Sequence, residues 1–183
     1  MKPYFLLKKI GIAGILALLS APPLAIAEIR PEKIHLADVK KNEAYLQDGL
    51  FIGGDRAING TEIQGIRYSS QNPLFDRVVI DLNVFQDGKP PQIQRPPYFH
   101  ASVDSHHKRL IFTLWGSPRL NFDSKKLIAT FKKSSAVEDI KLLPRIEDDS
   151  WTFWIELQPE TAVEVFELTN PVRVILDIQK KKR

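Results

Sequence analysis

The stretch Arg77-Val78-Val79-Ile80-Asp81-Leu82-Asn83-Val84 decides the fold class of this 183-residue chain. Val78, Ile80, Leu82 and Val84 fall on one face of an extended strand, and Arg77, Val79, Asp81 and Asn83 on the other. A near copy follows later, Arg173-Val174-Ile175-Leu176-Asp177-Ile178. Each is led in by a turn signal, Asn72-Pro73-Leu74-Phe75-Asp76 before the first and Asn170-Pro171 before the second. Arg and Asp four apart on one strand sit ~13 Å from each other at ~3.3 Å per residue, so they cannot pair within it. Placed antiparallel with Val79 opposite Ile175, the two copies would set Arg77 against Asp177 and Asp81 against Arg173. Exposed, such pairs are worth roughly 0.2–1 kcal/mol each. The alternative is that these four charges only solubilise outer faces.

Working outward, the chain holds more short β-rich runs separated by turn residues. Tyr98–Val103 and Lys108–Gly116 read as a hairpin around Asp104-Ser105-His106-His107, with Leu110, Phe112 and Leu114 pointing inward. Asp87-Gly88 marks a turn, and the prolines between Gln92 and Pro97 mark a loop or protected edge. Trp151, Phe153, Ile155 and Leu157 alternate with Thr152, Trp154 and Glu156. Val137–Leu143, Ala162–Leu168 and Val172–Ile178 add three more strands. One helix is expected after Asp123 as N-cap, with Leu127, Ile128 and Phe131 on one face and Lys132 and Lys133 near its C-terminus. About seven strands and one short helix predict an all-β, two-sheet β-sandwich; a single-sheet α+β domain covered by the helix is the alternative.

The charge balance divides the chain. It carries 26 Lys+Arg and 22 Asp+Glu, a formal +4. Residues 1–27 hold Lys2, Lys8 and Lys9 and no acid, then an apolar run from Ile10 to Leu19, Pro22-Pro23 and Ala25-Ile26-Ala27. That is the pattern of an export signal peptide cleaved before Glu28, and its apolar run is shorter than the ~20 residues a membrane-spanning helix needs. Without it the balance is 23 against 22, a net +1, which argues against nucleic acid. With no cysteine, disulfides, thiol chemistry and lipid attachment are excluded. The expected location is the periplasm or envelope of a bacterium, with the membrane involved only through the leader. Residues 28–61 read as an extended, partly disordered segment around the apolar island Leu50-Phe51-Ile52, residues 62–180 as the folded domain, and residues 181–183 as a basic tail.

Two segments carry a family resemblance. Leu168-Thr169-Asn170-Pro171-Val172-Arg173-Val174-Ile175-Leu176-Asp177-Ile178 resembles the closing motif of the AMIN domain. Gly65-Ile66-Arg67-Tyr68 with Phe75-Asp76-Arg77-Val78-Val79-Ile80-Asp81-Leu82 resembles the opening of AMIN-like domains. The likeness covers Glu62 to Lys180, with the insert Phe85–Tyr98 and the helix at Asp123 as departures. It implies a sandwich of two small sheets, a non-catalytic module of exported cell-wall amidases and pilus secretins. It also implies a targeting role through peptidoglycan or another envelope glycan, or through an envelope protein of a secretin or pilus machine.

Catalytic patterns are lacking. There is no Gly-x-Ser-x-Gly elbow and no phosphate loop. Glu147-Asp148-Asp149 reads as a solvated turn rather than a glycosidase pair. His100 with His106 or His107 and Asp104 could gather around a metal, but polar turn residues are the favoured reading. No enzyme, metal or cofactor is expected. Binding is expected instead at Trp115 and Trp154, which lie off the inward registers of their strands. The alternative is that the helix or Leu50-Phe51-Ile52 covers them. Basic residues at Lys108, Arg109, Arg119, Lys125, Lys126, Lys132 and Lys133 could add attraction for an anionic polymer.

Overall fold

A computed structural model describes residues 34–84, 94–131, 134–147 and 149–181, with the side chains of 84 and 144–147 outside the description. The leader, the Asp87-Gly88 turn, Asp148, Lys132, Lys133 and the last two residues also lie outside the described residues. Eleven strands and one helix are described: β1 (Ile34–Leu36), β2 (Gly49–Gly53), β3 (Thr61–Ser69), β4 (Phe75–Val84), β5 (Phe99–Asp104), β6 (Arg109–Trp115), β7 (Arg119–Leu120), α1 (Ser124–Thr130), β8 (Val137–Glu147), β9 (Ser150–Leu157), β10 (Val163–Thr169) and β11 (Val172–Gln179). They form a two-sheet β-sandwich. One sheet runs β1-β2-β5-β6-β9-β8 and the other β10-β11-β4-β3-β7. Among the described residues no helix is long and apolar enough to cross a membrane.

Alternation builds the core. Val78, Ile80 and Leu82 of β4 face in, and so do Leu110, Phe112 and Leu114 of β6 and Trp151, Phe153, Ile155 and Leu157 of β9. Each buried side chain of this size contributes roughly 1.5–3 kcal/mol relative to exposure. The aromatic ones touch in series, Phe99 to Phe112 at 5.5 Å, Phe112 to Phe153 at 5.2 Å and Phe153 to Trp151 at 5.3 Å between ring centres. The Trp151 indole donates to the Leu143 carbonyl at 3.0 Å, which satisfies its one polar atom. Pro144 is accommodated because β8 is an edge strand.

Residues 34–61 belong to this sandwich rather than lying apart from it. Phe51 of β2 is a core residue, and β2 pairs antiparallel with β5. Between β1 and β2 the chain straps the edge of the other sheet: Leu46 exchanges backbone hydrogen bonds with Val163, and Glu167 donates to the Asp38 carbonyl. The strap thus covers the β10 edge, a row of backbone groups that would otherwise invite another strand. At the end of β2, Gly54 has φ +79°, and an added Cβ would lie 2.0 Å from the Pro97 carbonyl oxygen. Its N–H donates to buried Glu167 at 2.6 Å, and Arg95 grips the same carboxylate at 2.8 and 3.0 Å.

The helix is capped by Asp123, whose carboxylate accepts from the amides of Lys125 and Lys126. Leu127 enters the core, but Ile128 is 46% exposed and does not share that face. A helix of seven residues presents a one-residue-wide contact row, so Leu127 leaves no room for its neighbour. Gln179 and Lys180 are anchored at the end of the domain. Gln179 closes the β11–β4 ladder, and the Lys180 ammonium donates to the carbonyls of Ser70 at 2.6 Å and Asn72 at 2.8 Å and pairs with buried Asp76 at 3.1 Å.

The two copied strands are neighbours. β11 pairs antiparallel with β4 with Ile175 opposite Val79, Arg173 opposite Asp81 and Asp177 opposite Arg77. Arg77 holds Asp177 through two hydrogen bonds of 2.6 and 2.7 Å, and Arg173 donates to Asp81 at 2.7 Å. These pairs are unequal. Asp177 is fully buried and also receives the strap's Lys41 at 2.7 Å, whereas Asp81 is 22% exposed and is shared with Arg67. We expect Arg77→Met to cost about 3 kcal/mol in urea unfolding, because it strips a buried carboxylate of its bidentate partner. Arg67→Met should cost under about 1 kcal/mol. The double variant Arg77→Met/Asp177→Leu should recover most of the loss; equal costs for all three variants would refute the ranking.

Candidate functional site

The outer face of the six-stranded sheet carries the site. β6 alternates, so Leu110, Phe112 and Leu114 fill the core while Arg109, Ile111, Thr113 and Trp115 look away from it. The same alternation turns His100 outward from β5 and Thr152 and Trp154 outward from β9. Trp115 and Trp154 are both half-buried, and among the described residues α1 does not cover them. α1 packs beside β3 of the opposite sheet. Leu50 and Ile52 sit in β2 on the same outer face, extending it instead of hiding it.

Trp115 is the centre of an aromatic cluster. Its amide donates to the Tyr98 carbonyl at 3.0 Å, which places the two side chains next to each other. The Tyr98 ring lies 5.3 Å and the His100 ring 4.6 Å from the indole. The Tyr98 hydroxyl and His100 Nε2 share a hydrogen bond of 2.5 Å. Arg56 closes the group, its guanidinium 4.3 Å from the Tyr98 ring centre and donating to the hydroxyl at 2.9 Å. Burial, with the Arg56 charge second, holds the His100 imidazole below its ordinary pKa.

Trp154 forms a second centre. It lies opposite Ile111 on β6 and Lys141 on β8, with the Arg109 guanidinium 5.4 Å from its ring centre. Ile111 and Trp115 are four residues apart on one strand, so the two indoles are separated by about 13 Å along it. The Trp154 N–H is shielded from solvent and has no acceptor among the described residues. A buried indole N–H usually has one.

The basic residues divide between sites. Lys108 occupies the hairpin turn at φ 54°, exposed, and Arg109 begins β6 with its guanidinium over Trp154. With His107, Glu138, Glu156 and Gln158 they line a polar groove of about 360 Å³. Arg119 does not join them: it sits in β7, paired with Glu62 in the other sheet. Lys125 and Lys126 stand on α1, also beside that sheet. The grouping of these cations by sequence nearness dissolves because the chain changes sheet between β6 and β7.

The histidines are likewise dispersed. His107 bonds Asp104 at 2.7 Å in the exposed turn, edge-on to His106, while His100 is engaged with Tyr98. Among the described residues no three His, Asp or Glu side chains converge as a metal site would require. Asp104 is held below the usual carboxylate range by hydrogen bonds from the His107 backbone and side chain. Arg56, Tyr98 and the cross-strand partnership of His100 with Trp115 were not legible as a site. The strand alternation that exposed Trp115 could have pointed to His100, but the contact needs the β5–β6 register.

Comparison of the chain with family models, with curated proteins and with solved structures finds no match. The chemistry is therefore read from the geometry. An NMR pH titration should find His100 titrating below the ordinary imidazole range, and Arg56→Ala should move it up. Protonation is resisted only in the folded state, so this contribution to stability is lost as pH falls below the ordinary imidazole value. A His100 resonance that titrates at the ordinary imidazole value, unmoved by Arg56→Ala, would contradict the cluster.

Proposed function

We propose that this chain is a non-enzymatic, exported module of the bacterial cell envelope. In this reading it binds peptidoglycan or another envelope glycan and so localises what it works with. The observation that carries the reading is the pair of outward indoles about 13 Å apart on one sheet face. Aromatic faces suit the apolar faces of sugar rings, and two such platforms suit an extended polymer more than a single ring. Arg56 and Arg109 add positive charge beside the platforms, with Lys108 next to Arg109 in the polar groove, for carboxylates along an envelope polymer. The resemblance of Leu168–Ile178 and Gly65–Leu82 to AMIN domains supports the same role, as does the leader-like pattern of residues 1–27.

A second reading is an assembly factor for an envelope machine such as a secretin or pilus complex. It is favoured by the edge strand β1, where Ile34 is 43% and Leu36 82% exposed beside the outward Leu50 and Ile52. Such apolar surface at a sheet edge suits a protein partner.

Cosedimentation of the full-length chain with purified sacculi separates the two. Retention at low salt is expected, weakening as salt screens the cations. Trp115→Ala with Trp154→Ala should reduce affinity about tenfold or more, equivalent to about 1.4 kcal/mol per decade. No retention at low salt, or retention indifferent to both tryptophans, rejects the glycan reading and leaves the protein partner.

A further inference from the structure

The five-stranded sheet has one covered edge and one open one. The strap covers β10. At the other end β7 pairs with β3 only at Glu62 and Ile63, and Asn121 adds a last hydrogen bond to the Ile63 carbonyl at 2.9 Å. The chain then leaves the edge to begin α1. From Gly65 to Ser69, β3 is laddered to β4 on one side and to no described residue on the other. Between this free edge and α1 runs a groove of about 400 Å³, with Tyr68, Phe122 and Leu127 as apolar lining. Gly65 leaves it open: a Cβ built there meets nothing within 4 Å. Gly65 also closes the register shift of β3 on β4 after Ile63, so the strand is irregular where the groove opens.

The banks of the groove are cationic. Lys126 stands on the helix side and forms no ion pair among the described residues, with exposed Lys125 beside it. Arg67, 58% exposed, stands on the strand side and shares Asp81 with Arg173, so that trio keeps one positive charge in excess. The acid at this end, Asp123, has its Oδ1 turned to the amides of Lys125 and Lys126.

We infer that the open edge of β3, from Gly65 to Ser69, receives an extended acidic peptide segment of a protein partner, lying in the groove between β3 and α1. Main-chain hydrogen bonds to the edge would hold it, alternate side chains would enter the groove over Gly65, and its carboxylates would meet Lys126 and Arg67. β7 already adds to this edge in the same manner for two residues, and the peptide continues the ladder where β7 leaves it. This site lies on the other sheet from the indole face and does not depend on the glycan reading.

The probe is a library of short random peptides displayed on phage and panned against the full-length chain. The expected winners alternate apolar and acidic residues and compete with one another. Their amide-shift footprint should fall on Gly65–Ser69. Gly65→Trp, which fills an open space, and Lys126→Glu, a surface change, should each lower affinity about tenfold or more. Circular dichroism would confirm that both variants fold, and sacculus retention should be unaltered in both. Failure to enrich any peptide overturns the inference. So do basic winners, or binding indifferent to Gly65→Trp and Lys126→Glu. A dimer of the chain that Gly65→Trp abolishes also overturns it, in favour of a second copy at this edge.

Discussion

Asp177 is a carboxylate with no exposure to water, set in the middle of a sheet whose two faces are both covered at that point. An ion in that position is tolerable only if its charge and lone pairs are met in place. Arg77 meets both oxygens, and Lys41 meets one of them again from the strap. The first contact fixes the register of β11 on β4, since a slip of one residue would turn each charge to the core face. The second pins residues 38–46 across the sheet. Phe75 lies beneath both cations, 4.1 Å from the Lys41 ammonium and 4.9 Å from the Arg77 guanidinium. Glu164, one residue in from the start of β10, accepts the amides of Asn42 and Glu43 and holds the next turn of the strap. Much of the five-stranded sheet's outer face is thus committed to holding the chain together.

That commitment determines which surface is left for other work. The strap occupies β10, α1 lies beside β3, and neither reaches the outer face of the six-stranded sheet. Trp115 and Trp154 stay half-exposed there, with neither α1 nor the strap over them among the described residues. Their rigidity comes from behind. Each indole sits between two strands whose other faces are packed with phenylalanine and leucine, so the aromatic platform rests on a dense core.

Strand periodicity made the sandwich readable. Every inward set named from alternation in β4, β6 and β9 is buried where described, because a period of two leaves a half-buried strand little choice. The antiparallel match of the copied strands was readable for a different reason: the charge pattern admits a single register that neutralises all four residues. What alternation could not convey was distance. Lys108 and Arg119 are close in sequence and lie in different sheets, whereas Arg56 and Tyr98 are far apart and in contact. The strap was not legible because residues 38–46 show no strand or helix periodicity; they bind through main-chain groups, the Lys41 ammonium and Leu46 packed against the core. The anchoring of Lys180 was not legible because nothing local reveals that Asp76 is buried behind it.

The copied strands have a further property. A half-turn about the axis between Val79 and Ile175 exchanges Arg77 with Arg173 and Asp81 with Asp177, so the pair is palindromic in charge. A palindrome is complementary to itself, and β4 of one chain would find the same pairing on β4 of another. Charge alone therefore does not tell the native partner from a copy. The discrimination comes from outside the palindrome: Lys41 reaches Asp177 from the strap, and Arg67 reaches Asp81 from β3. Each carboxylate is labelled by a third cation from a different part of the chain, and only the intramolecular arrangement places both labels at once.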